Sequence, residues 1–174
     1  MDIQKFDEIY WKYAPKGDYV RLEPINIFPW LILGDLNDAT IFNGNAVLSI
    51  INDSYYHTDK FKNKEWHVID IMDSKDTPIN EYFEEAFTFL DKIESENKTC
   101  IIHCQAGINR SATIALAYYI KKTCTPLFEA YEKFSKMRPG IIYNIGFRKC
   151  LLEWYKTLES TFIESTLNKY NIKY

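Results

Sequence analysis

A chain of 174 residues, 47% apolar and 26% charged, has room for one domain with a sizeable core and is too apolar to be disordered. Its formal net charge of -3 argues against a field that would gather nucleic acid, and leaves Lys60, Lys62 and Lys64 as a local basic cluster on a solvated loop. Cys100, Cys104, Cys124 and Cys150 show no CxxC spacing and there are three histidines, so a zinc site is not expected and no cofactor is indicated. No apolar run is long enough to span a bilayer, and Asp2, Asp7 and Glu8 speak against an N-terminal signal. A reducing cytosolic or nuclear setting is the default expectation.

Ile3, Phe6, Ile9, Tyr10 and Tyr13 stand at helical spacing, which predicts an amphipathic helix over residues 2–13. Residues 14–18, with Pro15 and Gly17, break it. This helix packs on its own domain or on a partner. Residues 1–24 thus read as a helical extension to a main domain of residues 25–174. Residues 30–34 predict a short strand, and 36–42 a short helix. The apolar run 46–51, bounded by Gly44-Asn45 and Asn52-Asp53-Ser54, suits a buried strand of a parallel sheet. Residues 66–72 predict another strand, followed by a polar loop from Asp73 to Thr77. Thr77 and Pro78 are placed to cap and open a helix whose apolar stripe is Ile79, Phe83, Ala86, Phe87, Leu90 and Ile93. Residues 100–103 form the next buried strand, and 111–122 a helix apolar on most sides. A further helix starts at Thr125-Pro126 and ends at Arg138-Pro139-Gly140, and Asn144 caps a long last one. Trp30, Trp66 and Trp154 are expected in the core or at its rim. Strands alternating with helices predict an α/β fold: a central, mostly parallel sheet of four to five strands, flanked by helices on both faces.

The chemistry concentrates in His103-Cys104-Gln105-Ala106-Gly107-Ile108-Asn109-Arg110-Ser111. A strand feeds a loop, and the loop feeds a helix N-terminus. Backbone N–H groups there form an anion-binding nest, reinforced by the helix dipole. Gly107 allows the tight curl. The positive potential favours a Cys104 thiolate, which can attack a phosphate bound by residues 105–110 and form a phosphocysteine. Arg110 closes the loop with a planar fork that holds two phosphate oxygens and matches the charge of the transition state. Ser111 can hydrogen-bond the sulfur and ease its departure, and His103 orients the loop. A lone buried thiol and a surface arginine are the bland alternative. Cys, Gly and Arg at the spacing of an anion nest, between a buried strand and a helix, weigh against it.

This run resembles the Cys-x5-Arg phosphatases and, within them, the dual-specificity protein phosphatases. HCQAGINRSA is similar to the HCxAGxSRS pattern, with Asn109 where Ser is usual. Residues 27–34 resemble that family's opening strand, 46–50 its second, and 82–86 the helix before the signature strand. Residues 138–147 resemble its RP…PN.GF segment, with Tyr143 where Pro is common; Ser49 stands where Asn is common. The resemblance implies hydrolysis of phosphotyrosine and phosphoserine or phosphothreonine in protein substrates. It implies a general acid on the loop after the strand, where Asp73 stands first, Asp76 next and Asp70 last. It also implies that Asn144 braces the phosphate loop. The same loop occurs in RNA 5′-phosphatases and phosphoinositide phosphatases, but the former tend to carry His-Gly inside the loop and the latter Lys. This interior is Gln105-Ala106-Gly107-Ile108-Asn109. A catalytically dead binding module would be expected to lose Cys or Arg. Some virus-encoded relatives dimerise through an N-terminal helix, which offers a homodimer as the alternative to packing in cis. Cys100 reads as a core residue, with a disulfide to Cys104 as the rival; Cys124 and Cys150 read as structural.

Overall fold

In the computed structural model, residues 3–17, 21–52 and 59–169 are described, with side chains through residue 159. Asp2 of the first helix, Asp18 of its break, and Asp53 and Ser54 of the turn after the second strand lie outside them. The elements run α1 (Ile3–Tyr13), β1 (Ile25–Phe28), β2 (Leu31–Gly34), α2 (Leu36–Ile41), β3 (Ala46–Ile51), β4 (Glu65–Asp70), α3 (Phe83–Ser95), β5 (Cys100–His103), α4 (Arg110–Thr123), α5 (Leu127–Met137) and α6 (Ile145–Lys169). The sheet has five strands in the order β1-β2-β5-β3-β4. β2, β5, β3 and β4 are mutually parallel, and β1 joins antiparallel to β2 at the edge.

Side-chain alternation divides the core. Cys100 and Ile102 of β5, with Ala46, Leu48 and Ile50 of β3, enter the large cluster under the helices. Ile101 and Val47 point the other way, into a small cluster with Ala39 and Phe61. Both faces are therefore covered, and β3 and β5 are buried throughout, apolar but for Ser49 and His103. The cover is unequal: among the described residues, α1, α3, α4, α5 and α6 contribute to the large cluster, while α2 and the segment around Phe61 cover the small one. Helix α4 sits at the centre, with ten of its fourteen residues buried.

Three expectations need correction. The single opening strand over 27–34 is a hairpin, because Pro29 has no N–H for the ladder and the chain turns at Pro29-Trp30 between β1 and β2. Thr77 does not cap a helix: its Oγ1 donates to Met72 O at 3.0 Å. A 3₁₀ turn over Ile79–Tyr82 comes first, and α3 begins at Phe83. A Cys100–Cys104 disulfide is out of reach. Cys100 to His103 alone spans about 10 Å of strand, whereas a disulfide needs Cα atoms within about 7 Å.

Of the two placements open to α1, the chain takes the internal one. Phe6 is fully buried, edge-on to Phe128 and Tyr131 at 5.2 and 4.8 Å between ring centroids. Asp7 pairs with the buried Arg148, whose guanidinium lies 4.5 Å from the Tyr10 ring centroid. Lys12 and Tyr13 both donate to Glu132 of α5, at 2.8 and 2.7 Å. The apolar face proposed for pairing with a second copy is thus covered within the chain.

Candidate active site

Four parallel strands end on the same side, and each delivers part of one site. β5 leads into Cys104, β4 into Ile71–Asp73, β3 into Asn52, and β2 into Asp35, the N-cap of α2. The carboxyl ends of parallel strands, where the connections diverge, are where such sheets form ligand crevices.

The loop after β5 is held from outside by its carbonyls. Cys104 O faces His103 Nδ1 at 3.2 Å. Gln105 O accepts from Leu36 N, Ile108 O from Ile142 N and Asn109 O from Thr113 N. Ala106 O and Gly107 O accept from Arg138 Nη2 and Nε, at 3.3 and 2.9 Å. The peptides of the loop are trans, so each carbonyl turned outward turns the next N–H inward. The Gly107 N–H shows the direction: it donates to Cys104 Sγ at 3.2 Å. Gly107 has φ 67°, and a Cβ there would lie 2.4 Å from Gly34 O, so no other residue fits without displacement. The result is a nest of N–H groups around a buried thiol, at the N-terminus of the most buried helix. Ser111 Oγ adds a second hydrogen bond to Sγ, at 3.2 Å.

His103 is fully buried. The Cys104 carbonyl can only accept, so Nδ1 donates to it, and Nε2 lies 2.7 Å from Ser49 Oγ, which accepts from Trp66 Nε1 at 2.9 Å. Ser49 thus completes a relay from Trp66 to the loop.

Arg110 is anchored on one side only. Nη1 donates to Asn52 Oδ1 at 3.0 Å and to Ile71 O at 3.1 Å. Nε is buried and has no hydrogen-bond partner among the described residues. A buried, charged donor without a partner is costly. The edge carrying Nε is the one free to receive the oxygens of a tetrahedral oxyanion.

Asp73 meets the loop through two amides. Its Oδ2 accepts from Asn109 Nδ2 at 3.0 Å and its Oδ1 from Asn144 Nδ2 at 2.9 Å. Asn144 also caps α6, its Oδ1 accepting from Gly146 N at 3.0 Å, and it meets the phosphate loop through its backbone N–H, which donates to Asn109 Oδ1 at 3.3 Å. Gly146 has to be small: a Cβ there would lie 2.0 Å from Lys75 O, where the Asp73 loop crosses the start of α6. Asp70 ends β4, and Asp76 enters only through its backbone N–H, which donates to Ser74 Oγ. Beside Asp73 and Asn144, their chain neighbours Met72, Tyr143 and Ile145 are exposed apolar side chains.

The sequence reading passed over three groups. Asn52 read as a turn residue and Arg138 as a helix terminator. Arg138 is 1% exposed, and its Nη1 also reaches Leu22 O and Glu23 O, so it ties the segment before β1 to the loop. Asp35 and Asp38 form a capping box under the same loop, with Arg21 on both carboxylates. Burial would raise Asp35, but hydrogen bonds from Arg21 and the Asp38 N–H outweigh it and hold its carboxyl below the usual range. Burial wins at Asp38, aided by the Asp35 charge, and pushes it up. Desolvation pushes the Cys100 thiol up, away from any thiolate role, and it bonds Ile101 O.

What the fold and this loop define is a class: α/β domains that grip an oxyanion between a strand-end cysteine and a helix-start arginine. Within it, the chain belongs to the family described as dual specificity phosphatase, catalytic domain, whose model matches residues 35–157. Dual specificity protein phosphatase 2 of Mus musculus is 34% identical over 135 residues, which are 75% of this chain and 42% of that protein. Dual specificity protein phosphatase 1 of Homo sapiens is 33% identical over 75% of this chain and 37% of its own length. The chain thus spans about two fifths of the length of these curated relatives. Among solved structures, DUSP15 aligns with TM-score 0.67 and 26% identity, over 75% of this chain and 86% of its own. OH1 of the Orf virus aligns with TM-score 0.69 and 18% identity, over 87% and 97%, and shares the fold.

Proposed function

We propose that this chain is a protein phosphatase that hydrolyses phosphotyrosine and phosphoserine or phosphothreonine through a phosphocysteine intermediate. The half-anchored Arg110 carries the reading: a buried guanidinium whose Nε has no partner among the described residues, beside a thiol in an N–H nest, fits a bound phosphate dianion. The substrate phosphate takes the place at the centre of residues 105–110, its oxygens on the N–H groups and on Arg110. Cys104 thiolate attacks phosphorus, the bond to the leaving oxygen breaks, and the Asp73 carboxyl gives that oxygen its proton. Asp73, now a carboxylate, takes a proton from a water that attacks the phosphocysteine. The P–S bond breaks, inorganic phosphate leaves, and the Ser111 hydroxyl hydrogen-bonds the departing thiolate.

Two observations favour a peptide over a nucleic acid end or an inositol lipid. The loop interior supplies no cation beyond Arg110, and the neighbouring rim carries Met72, Tyr143 and Ile145. All four cysteines are free, which suits a reducing cytosolic or nuclear compartment for a thiolate enzyme. The test compares turnover of phosphotyrosine peptide, phosphothreonine peptide, triphosphorylated RNA and inositol lipid by the wild type, Cys104→Ser and Asp73→Asn. We expect the peptides to lead, Cys104→Ser to be inactive, and Asp73→Asn to lose about 10²-fold or more while still binding vanadate. A Cys104→Ser protein that kept turnover would overturn the mechanism; RNA or lipid leading would overturn the substrate class.

A further inference from the structure

Asn109 lies in the phosphate loop, yet its side chain faces away from the thiol and meets the Asp73 loop. It is 1% exposed. Its Oδ1 accepts from the Asn144 backbone N–H at 3.3 Å, and its Nδ2 donates to Asp73 Oδ2 at 3.0 Å. Asn144 repeats the arrangement, with Oδ1 on the Gly146 N–H and Nδ2 on Asp73 Oδ1. A backbone N–H can only donate, so it fixes which end of each amide is oxygen. Both NH₂ groups are thereby committed to the carboxyl, one to each of its oxygens. Asp73 itself is exposed on a polar loop, and these two amides are the side-chain donors that its carboxyl meets among the described residues.

We propose that Asn109 is a positioning residue: together with Asn144 it clamps the Asp73 carboxyl over the phosphate loop before substrate binds. The proposal rests on the reading of Asp73 as general acid. Neutral donors suit that role. A protonated carboxyl keeps acceptor capacity on both oxygens, so two amides can hold it as acid and as base, through both chemical steps. A Lys or Arg in the same place would hold it as carboxylate alone. The clamp removes a conformational search from the proton-transfer step, a contribution of the positioning kind. Serine, with a side chain that ends one bond earlier, does not bridge the gap.

The test uses the full chain and two substrates, 4-nitrophenyl phosphate with a good leaving group and a phosphoserine peptide with a poor one. Proton transfer matters most for the poor one. Asn109→Ser is expected to lose about tenfold more kcat on the phosphoserine peptide than on the nitrophenyl ester. In an Asp73→Asn background the same change should cost less than about twofold, because the group it positions no longer donates. Asn144→Ser keeps a cap acceptor but loses the amide, and should show the same leaving-group bias; it carries the test should Asn109→Ser fail to fold. Equal losses on both substrates, or additive losses in the double variant, would overturn the clamp. If Asp73→Asn shows the bias and neither asparagine variant does, the clamp alone fails. If Asp73→Asn shows none, the general-acid reading fails and takes the clamp with it.

Discussion

Arg110 illustrates how a single side chain is split between structure and chemistry. Nη1 is committed to Asn52 Oδ1 and Ile71 O, which fixes the plane of the guanidinium. Nε has no hydrogen-bond partner among the described residues. A hydrogen bond to a charged group is worth about 1.5–3 kcal/mol. Asn52→Ala leaves Ile71 O in place and removes the side-chain anchor. We therefore expect it to lower kcat/KM about tenfold and to weaken vanadate binding by a comparable factor, with little change in thermal midpoint. Steady-state kinetics and vanadate inhibition check this, and unchanged values would show that Ile71 O alone suffices. Asn52 also shows what a sequence conceals. Cys104, Gly107, Arg110 and Ser111 are legible because one short run of chain carries the whole nest. Asn52 is 58 residues from the arginine it anchors, and Arg138 is 31 from the carbonyl it holds, and no local pattern links either pair. Asp73 stood out only through the family resemblance, ahead of Asp76 and Asp70, whereas its hydrogen bonds to the two amides needed coordinates.

At the scale of elements, the strands were the most legible part. The runs at 46–51 and 100–103, apolar but for Ser49 and His103, suit strands covered on both faces, and the burial of β3 and β5 bears this out. The first turn of the α3 region was misread because Thr77 has a stronger local use, on Met72 O, than as a cap. The attachment of α1 to α5 was not legible at all, since Glu132 reads as an ordinary solvated charge. It accepts from Lys12 and Tyr13, and these hydrogen bonds, Lys12 first, hold its carboxyl at about 2 against an ordinary 4.5. A carboxyl lowered in the folded state contributes stability above its unfolded value of 4.5 and loses it as the pH falls toward about 2. The pair is exposed, so its worth is small and screened by salt. The stability difference between wild type and Glu132→Gln should therefore be present near about pH 6 and shrink by about pH 3. Urea unfolding of both proteins across that range checks it. A difference that grows on acidification would contradict the assignment.

At the scale of the molecule, the question is whether residues 1–24 are an appendage or part of one cooperative body. The family model begins at residue 35, so family membership leaves α1 undecided. Packing supplies the argument. Phe6 belongs to the same cluster as Ile102, Leu116 and Phe147, and Tyr131, which it touches edge-on, donates its hydroxyl to Ile141 O at 3.0 Å. Ile141 precedes Ile142, a β-branched residue held at φ 53°, whose N–H bonds Ile108 O in the phosphate loop. Arg148 closes the circuit by donating Nε to Ile142 O at 2.6 Å and pairing with Asp7 of α1. The helix is thus three contacts from the loop that holds the thiol, through Arg148 and Ile142. Removing a fully buried phenylalanine costs about 3–5 kcal/mol. We expect Phe6→Ala to lower the unfolding free energy of the whole chain by about that amount, in a single transition that fluorescence and circular dichroism report alike. Loss of α1 in a separate early transition, with the remainder unfolding as in the wild type, would instead make residues 1–24 an independent unit. In the cooperative case, the phosphate loop and the N-terminal helix share one stability.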